Sequence, residues 1–183
     1  MKKYDGYAET QAITGDFEVI EPGAYICRIK NVECTAKPYG ELLRIEFDID
    51  EGKHKGFYQK KFDEFGKWSG MYYQPVMKDN LKFFKGFITA IEKSNQGFNW
   101  ESHWDENQLV GKYFGGVFGE EEYMNDKGEI KIACKCVKVR SVEQVREGKI
   151  KIPVLKKLNN QEQGFSPVNS GEPVNSGEDE LPF

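Results

Sequence analysis

An all-β domain interrupted by a helical insertion is the fold this chain predicts, and three observations carry the prediction. Apolar and polar residues alternate at 23–49 and again at 112–139; a segment of helical spacing separates these runs; and Gly, Asn and Pro clusters mark the turns between them. The size agrees, since 183 residues suit about one domain with a core large enough to stand without disulfides. Hydrophobic residues are 38% and charged residues 31% of the chain, the balance of a soluble protein. No apolar run approaches the ~20 residues of a membrane helix. The opening MKKYDGYAETQ has two lysines but no apolar stretch behind them, so no secretory signal is expected and a cytoplasmic location is.

The elements follow in order. Residues 1–15 lack periodicity and read as an extension. From Gly23 a first strand begins, with Tyr25, Cys27 and Ile29 alternating against Ile26, Arg28 and Lys30. Lys37-Pro38-Tyr39-Gly40 is a turn. Leu43, Ile45, Phe47 and Ile49 then alternate with Arg44, Glu46 and Asp48, the cleanest period-2 strand in the chain. Glu51-Gly52-Lys53 turns again, and residues 56–62 read as a third strand. Asp79 is the expected N-cap of a helix whose apolar face is Leu81, Phe84, Ile88 and Ile91, ended by Asn95-Gln96-Gly97. A short second helix over 105–110 closes at Gly111. A fourth strand spans 112–123, and its Gly115-Gly116 pair predicts a bulge or sharp bend. Asn125-Asp126-Lys127-Gly128 predicts a hairpin turn into a fifth strand over 129–139, with Ile130, Ile132, Cys134 and Cys136 on one side. Residues 141–147 read as one helical turn. Three strands, a helical insertion at about 66–111 and a two-stranded hairpin is the order of a five-stranded OB-fold barrel, whose helix lies between strands three and four. The domain is expected to occupy 1–158.

The formal net charge of -4 conceals an asymmetry. Residues 159–183 contain five acids and no Lys or Arg; the other 158 residues carry a net charge of +1, and residues 53–93 a net +5. Residues 167–178 repeat Pro-Val-Asn-Ser-Gly-Glu in tandem, a composition that cannot bury enough surface to order itself, so 159–183 read as a disordered linker and an acidic tail. The tail closes on Glu178, Asp179, Glu180, Leu181, Pro182 and Phe183. Three acids and a terminal carboxylate imitate a stretch of polyphosphate, and the Phe183 ring imitates a base or fills a partner's pocket. A tail that served solubility alone would have no use for Leu181 and Phe183.

Aromatics are the second asymmetry. They make up 14% of the chain, and sixteen of the 25 lie between Phe57 and Phe118. Single-stranded nucleic acid is held by a positive groove along its phosphates and by flat rings on which bases stack. Tyr58, Trp68, Tyr72 and Tyr73 supply candidate rings, with Lys53, Lys55, Lys60, Lys61 and Lys67 as candidate charges. An OB-fold binds its ligand on the strand 2–3 face and the loops joining strands 1–2 and 4–5, which adds Lys37, Tyr39 and Arg44. Core packing is the competing account of each ring.

The terminal motif Glu178-Asp179-Glu180-Leu181-Pro182-Phe183 resembles the acidic tail of bacterial and bacteriophage single-stranded DNA-binding proteins. The body, closing on Pro153-Val154-Leu155-Lys156-Lys157-Leu158, is similar to small phage-encoded proteins regarded as OB-fold single-stranded DNA binders. The resemblance implies a sequence-independent binder in phage replication or recombination, working in the host cytoplasm. Its partners would be single-stranded DNA and the replication or recombination proteins recruited by the tail. The tail would occupy the protein's own groove when DNA is absent. No membrane is implied, and a homodimer stays open.

Other chemistries have weaker footing. Cys27, Cys34, Cys134 and Cys136 have spacings C-x6-C and C-x-C, unlike zinc knuckles, so buried reduced thiols are expected rather than a metal site. His54 and His103 lie in polar sequence, and no phosphate loop, nucleophile elbow or H-E-x-x-H is present. No enzyme and no cofactor are therefore expected. The alternative is a metal-dependent nuclease or nucleotide-processing enzyme using Glu120, Glu121, Glu122, Asp126 and Glu129, and a third reading is an adaptor that binds proteins only. These carboxylates would also turn DNA away from the strand 4–5 loop.

Overall fold

Strict alternation of Leu43, Ile45, Phe47 and Ile49 places all four in the core, at 3% exposure or less, along β2 (Gly40–Ile49). β2 lies within a five-stranded antiparallel sheet in the computed structural model, which describes residues 2, 5–8 and 18–158. The other strands are β1 (Gly23–Lys37), β3 (Met71–Met77), β4 (Tyr113–Met124) and β5 (Ile130–Arg140), in the order β3-β2-β1-β4-β5. The edge strands β3 and β5 approach within 8 Å at their Cα atoms but share no ladder, so the sheet curls without closing. The core on its inner side is aromatic: the Phe47 ring stands edge-on to Tyr58, Phe114 and Phe118. Burial of each such ring is worth about 1.5–3 kcal/mol.

The third strand is not where alternation put it. Residues 57–65 form helix α1 (Phe57–Phe65), and β3 begins only at Met71. Phe57 and Tyr58 go into the core, and α1 is held in place by Asp48. The two oxygens of that carboxylate accept from the backbone N–H groups of Tyr58 (2.9 Å) and Gln59 (3.2 Å), and one also accepts from Ile49 N–H (2.8 Å). Asp48 thus caps, through space, a helix whose own N-cap residue is Gly56. It also sets a negative charge at the helix's positive end. Pro75 in β3 costs no ladder bond to a missing neighbour, because β3 is an edge strand.

Helix α2 (Lys82–Ser94) buries Phe84, Ile88 and Ile91 as the spacing predicts and Phe87 as well, while Leu81 is exposed. Asp79 does not cap it; the N-cap position is Leu81, and Asp79 lies in a preceding 3-10 turn. Asn95 ends the helix, and its side chain ties α2 to β4 through Tyr113 N–H and Tyr113 C=O. The predicted second helix is a 3-10 turn, Glu106–Leu109, capped by Asp105. Gly115 and Gly116 mark close approach: a Cβ on Gly115 would strike Val145 of α3 (Val142–Arg146), and one on Gly116 would meet the Cys27 and Cys136 sulfurs. The bulge itself falls one step later, between Val117 and Phe118. Beyond Phe118 the β4–β5 hairpin projects past the end of β1, which leaves Ile130 and Ile132 more than half exposed instead of in the core. No helix among the described residues is long and apolar enough to cross a membrane.

Candidate nucleic-acid interface

The inner side of β1, β2 and β3 is core, so the chemistry these strands offer is on the outer side. Register brings Glu33 of β1, Arg44 of β2 and Tyr73 of β3 into one row across three strands. The row below it holds Asn31, Glu46 and Met71. Tyr73 is 51% exposed. Arg44 Nη2 bonds Glu33 Oε1 at 3.1 Å and Glu46 Oε1 at 2.9 Å, while its Nε is buried with no partner among the described residues. The same register puts Lys37 and Arg28 on this side, and the 38–39 turn carries an exposed Tyr39. Arg28 is steadied by a bond to Gly111 C=O and by the Tyr113 ring. Lys30, exposed at the β1 bulge, adds a further cation.

Three of the sequence-predicted residues, Lys37, Arg44 and Tyr73, therefore lie on one side of the sheet, and Tyr39 is exposed at the turn beside Lys37. Two others turn inward rather than stand free as platforms: Tyr58 lies in the core, and Tyr72 is partly buried against it. Tyr58 is 6% exposed and packs edge-on against Phe47 and Phe57. Tyr72 stacks on Phe87. Burial pushes both phenols far above the ordinary tyrosine range. Trp68 is partly buried against the core, with its indole N–H donated to Gly70 C=O. The lysines of 53–67 are mostly exposed but dispersed. Lys53 faces Glu21, Lys60 faces Glu18, and Lys61 lies over the Phe57 ring at 4.6 Å; Lys55 and Lys67 are exposed. Residues 178–183 lie outside the described residues.

Arg28 and Lys30 are the residues that sequence reasoning missed. Their signal was present, because both alternate with Cys27 and Ile29, which fixed their outward direction. His54 departs in the other direction: it is buried, 2.7 Å from Glu18 Oε1 and edge-on to Tyr25 and Phe57.

The remaining clusters do not converge. Glu121 faces Lys135 and Lys156, Glu122 accepts from Leu158 N–H, and Glu129 binds Asn125 and Lys131. Cys27 and Cys136 both approach Gly116, and burial drives both thiols up, that of Cys136 to about 12. No group of three or more potential metal ligands forms among the described residues. In comparison with known proteins, no family model and no curated protein matches the chain. The outer surface of β1–β3 sets half-exposed tyrosines among arginines, lysines and the two glutamates, Glu33 and Glu46, that bind Arg44.

Proposed function

We infer that the protein is a sequence-independent single-stranded DNA-binding protein of phage type, serving replication or recombination, with an OB-fold body. The observation that carries this reading is the Arg44–Tyr73 pair. An exposed ring lies opposite an arginine whose guanidinium is held in place by Glu33 and Glu46, on the side of the sheet where an OB-fold holds its ligand. Stacking on a tyrosine tolerates any base, and the surrounding cations attract phosphates without reading sequence. The strand order also supports it, being that of an OB barrel left unpaired along its β3–β5 seam. Bases would stack on Tyr73 and Tyr39, with the backbone tracking Arg28, Lys30, Lys37 and Arg44. In this reading the acidic tip at 178–183 recruits partner enzymes and competes with DNA for the same surface.

Fluorescence anisotropy of labelled dT oligomers, titrated at several salt concentrations, tests the proposal. Affinity should fall as salt rises, and removing residues 178–183 should tighten binding. No binding at low salt would reject the reading. Cleavage of the oligomer with Mg²⁺ would point to the nuclease alternative instead.

A further inference from the structure

The same three strands end, on their inner side, in a cleft of about 100 Å³ with the opposite electrostatic character. Three rings wall it. Phe84 of α2 stands edge-on to Trp100 at 5.6 Å, and Trp104 lies 5.9 Å from Trp100 and 6.5 Å from Phe84. Leu43 and Val76 line the sheet side, and Glu41 and Glu106 bring carboxylates to the opening. The negative field reaches inside, because these same glutamates help to raise the thiol pKa of Cys34, which also lines the cleft; burial is the larger cause.

Two further features mark the cleft as built for a ligand. Trp100 is 6% exposed, yet its indole N–H has no hydrogen-bond partner among the described residues, a group that is normally satisfied when buried. Trp104 is 63% exposed and has φ of 44°, a left-handed backbone that a bulky side chain rarely adopts. That backbone conformation accompanies a solvated indole on the wall of the cleft.

We propose that this cleft receives an arginine side chain from a partner protein. Ring faces attract a guanidinium through their quadrupoles, and its flat shape stacks on indoles where an ammonium cannot. Glu41 and Glu106 would take its N–H groups, with the rings of Phe84, Trp100 and Trp104 around its flat face. Charge excludes the opposite ligand. Residues 94–111 contain Glu101, Asp105 and Glu106 with no Lys or Arg, so a phosphodiester would be repelled. Cationic side chains already lie over Tyr113, Phe57, Phe83 and Phe98, whereas among the described residues none lies over Phe84, Trp100 or Trp104. Because the cleft and the outer face lie on opposite sides of β1–β3, a partner bound here would leave the outer face free.

The test uses the full chain with 15N-labelled indoles, whose three resonances are assigned by single Trp→Phe variants. It is titrated with a blocked Gly-Arg-Gly peptide. The Trp100 and Trp104 resonances should move at millimolar peptide, and the Trp68 resonance should not. The isosteric citrulline peptide should leave all three in place. Glu41→Gln together with Glu106→Gln, or Trp104→Leu alone, should weaken binding about three- to tenfold. Absence of a shift, equal binding of the citrulline peptide, or unchanged affinity in both variants would overturn the proposal. Tighter binding of deoxycytidine or deoxyadenosine would overturn it too, by making the cleft a base pocket. The dT titration above reads a different surface, so the failure of one proposal leaves the other standing.

Discussion

Helix α1 and the outer face of β1–β3 both combine cations with aromatic rings, yet they use them in opposite ways. In α1 the two types are adjacent in sequence, and the helix separates them. Phe57 and Tyr58 turn inward, Lys60 turns outward, and Lys61 spreads over the Phe57 ring. On the sheet, Arg44 and Tyr73 are far apart in sequence and become neighbours through register, with Lys37 further along the same side. Interleaving along the chain therefore marks an amphipathic element, whereas a shared surface arises from strands that bring distant residues level.

The contrast can be tested by perturbing each region. The largest effect belongs to the buried rings. Tyr58→Ala should cost about 3–5 kcal/mol of stability in urea unfolding, while the folded fraction binds dT as before. A loss of affinity beyond the unfolded fraction would return Tyr58 to the binding surface. Next comes the inner side at high pH. The buried thiols of Cys27 and Cys136 have folded pKa values raised above the ordinary value near 9, that of Cys136 to about 12. Between those limits the unfolded chain releases protons that the folded chain keeps. The Cys136 contribution is thus complete below pH 9 and is lost as pH rises toward 12, at about 1.4 kcal/mol per pH unit, and that of Cys27 falls in the same direction. Urea unfolding at pH 8 and pH 10 should show the fall, and Cys136→Ala should lessen it while leaving the part due to Cys27.

On the outer face the readout is affinity. Tyr73→Ala should weaken dT binding by about 1–3 kcal/mol and leave stability within about 0.5 kcal/mol. The smallest effect is electrostatic. Lys37→Ala should lower the salt dependence of binding by about 0.7 in log–log slope. Lys60→Ala, which removes a cation already facing Glu18, should lower it less, and an equal fall would extend the interface onto α1.

What the sequence showed follows from the range of the forces involved. The period-2 pattern of β2, the turn at 125–128 and the apolar face of α2 are local, and all three were legible. Residues 56–62 are ambiguous in sequence because a seven-residue window holding Phe57, Tyr58 and Phe62 fits either period. What decides for the helix is Asp48, whose carboxylate reaches the start of α1 from a strand already finished. The outward row was partly legible: the chain announced Arg44 as outward-facing, but only strand pairing could set Tyr73 opposite it. The cleft was illegible for the same reason, since Glu41, Phe84 and the pair Trp104 and Glu106 come from three separate segments.

One small contact has consequences for solubility. Where β4 runs past the end of β1, its open edge is taken by the segment around Lys156. Glu122 N–H donates to Lys156 C=O at 2.9 Å, and Lys156 N–H donates to Glu120 C=O at 3.0 Å. Unpaired strand edges recruit other chains, and this one adjoins the exposed Ile130 and Ile132. A chain cut at residue 152 would expose that template beside an apolar surface. The segment around Lys156 covers that edge, and a truncation placed where the regular elements stop would uncover it.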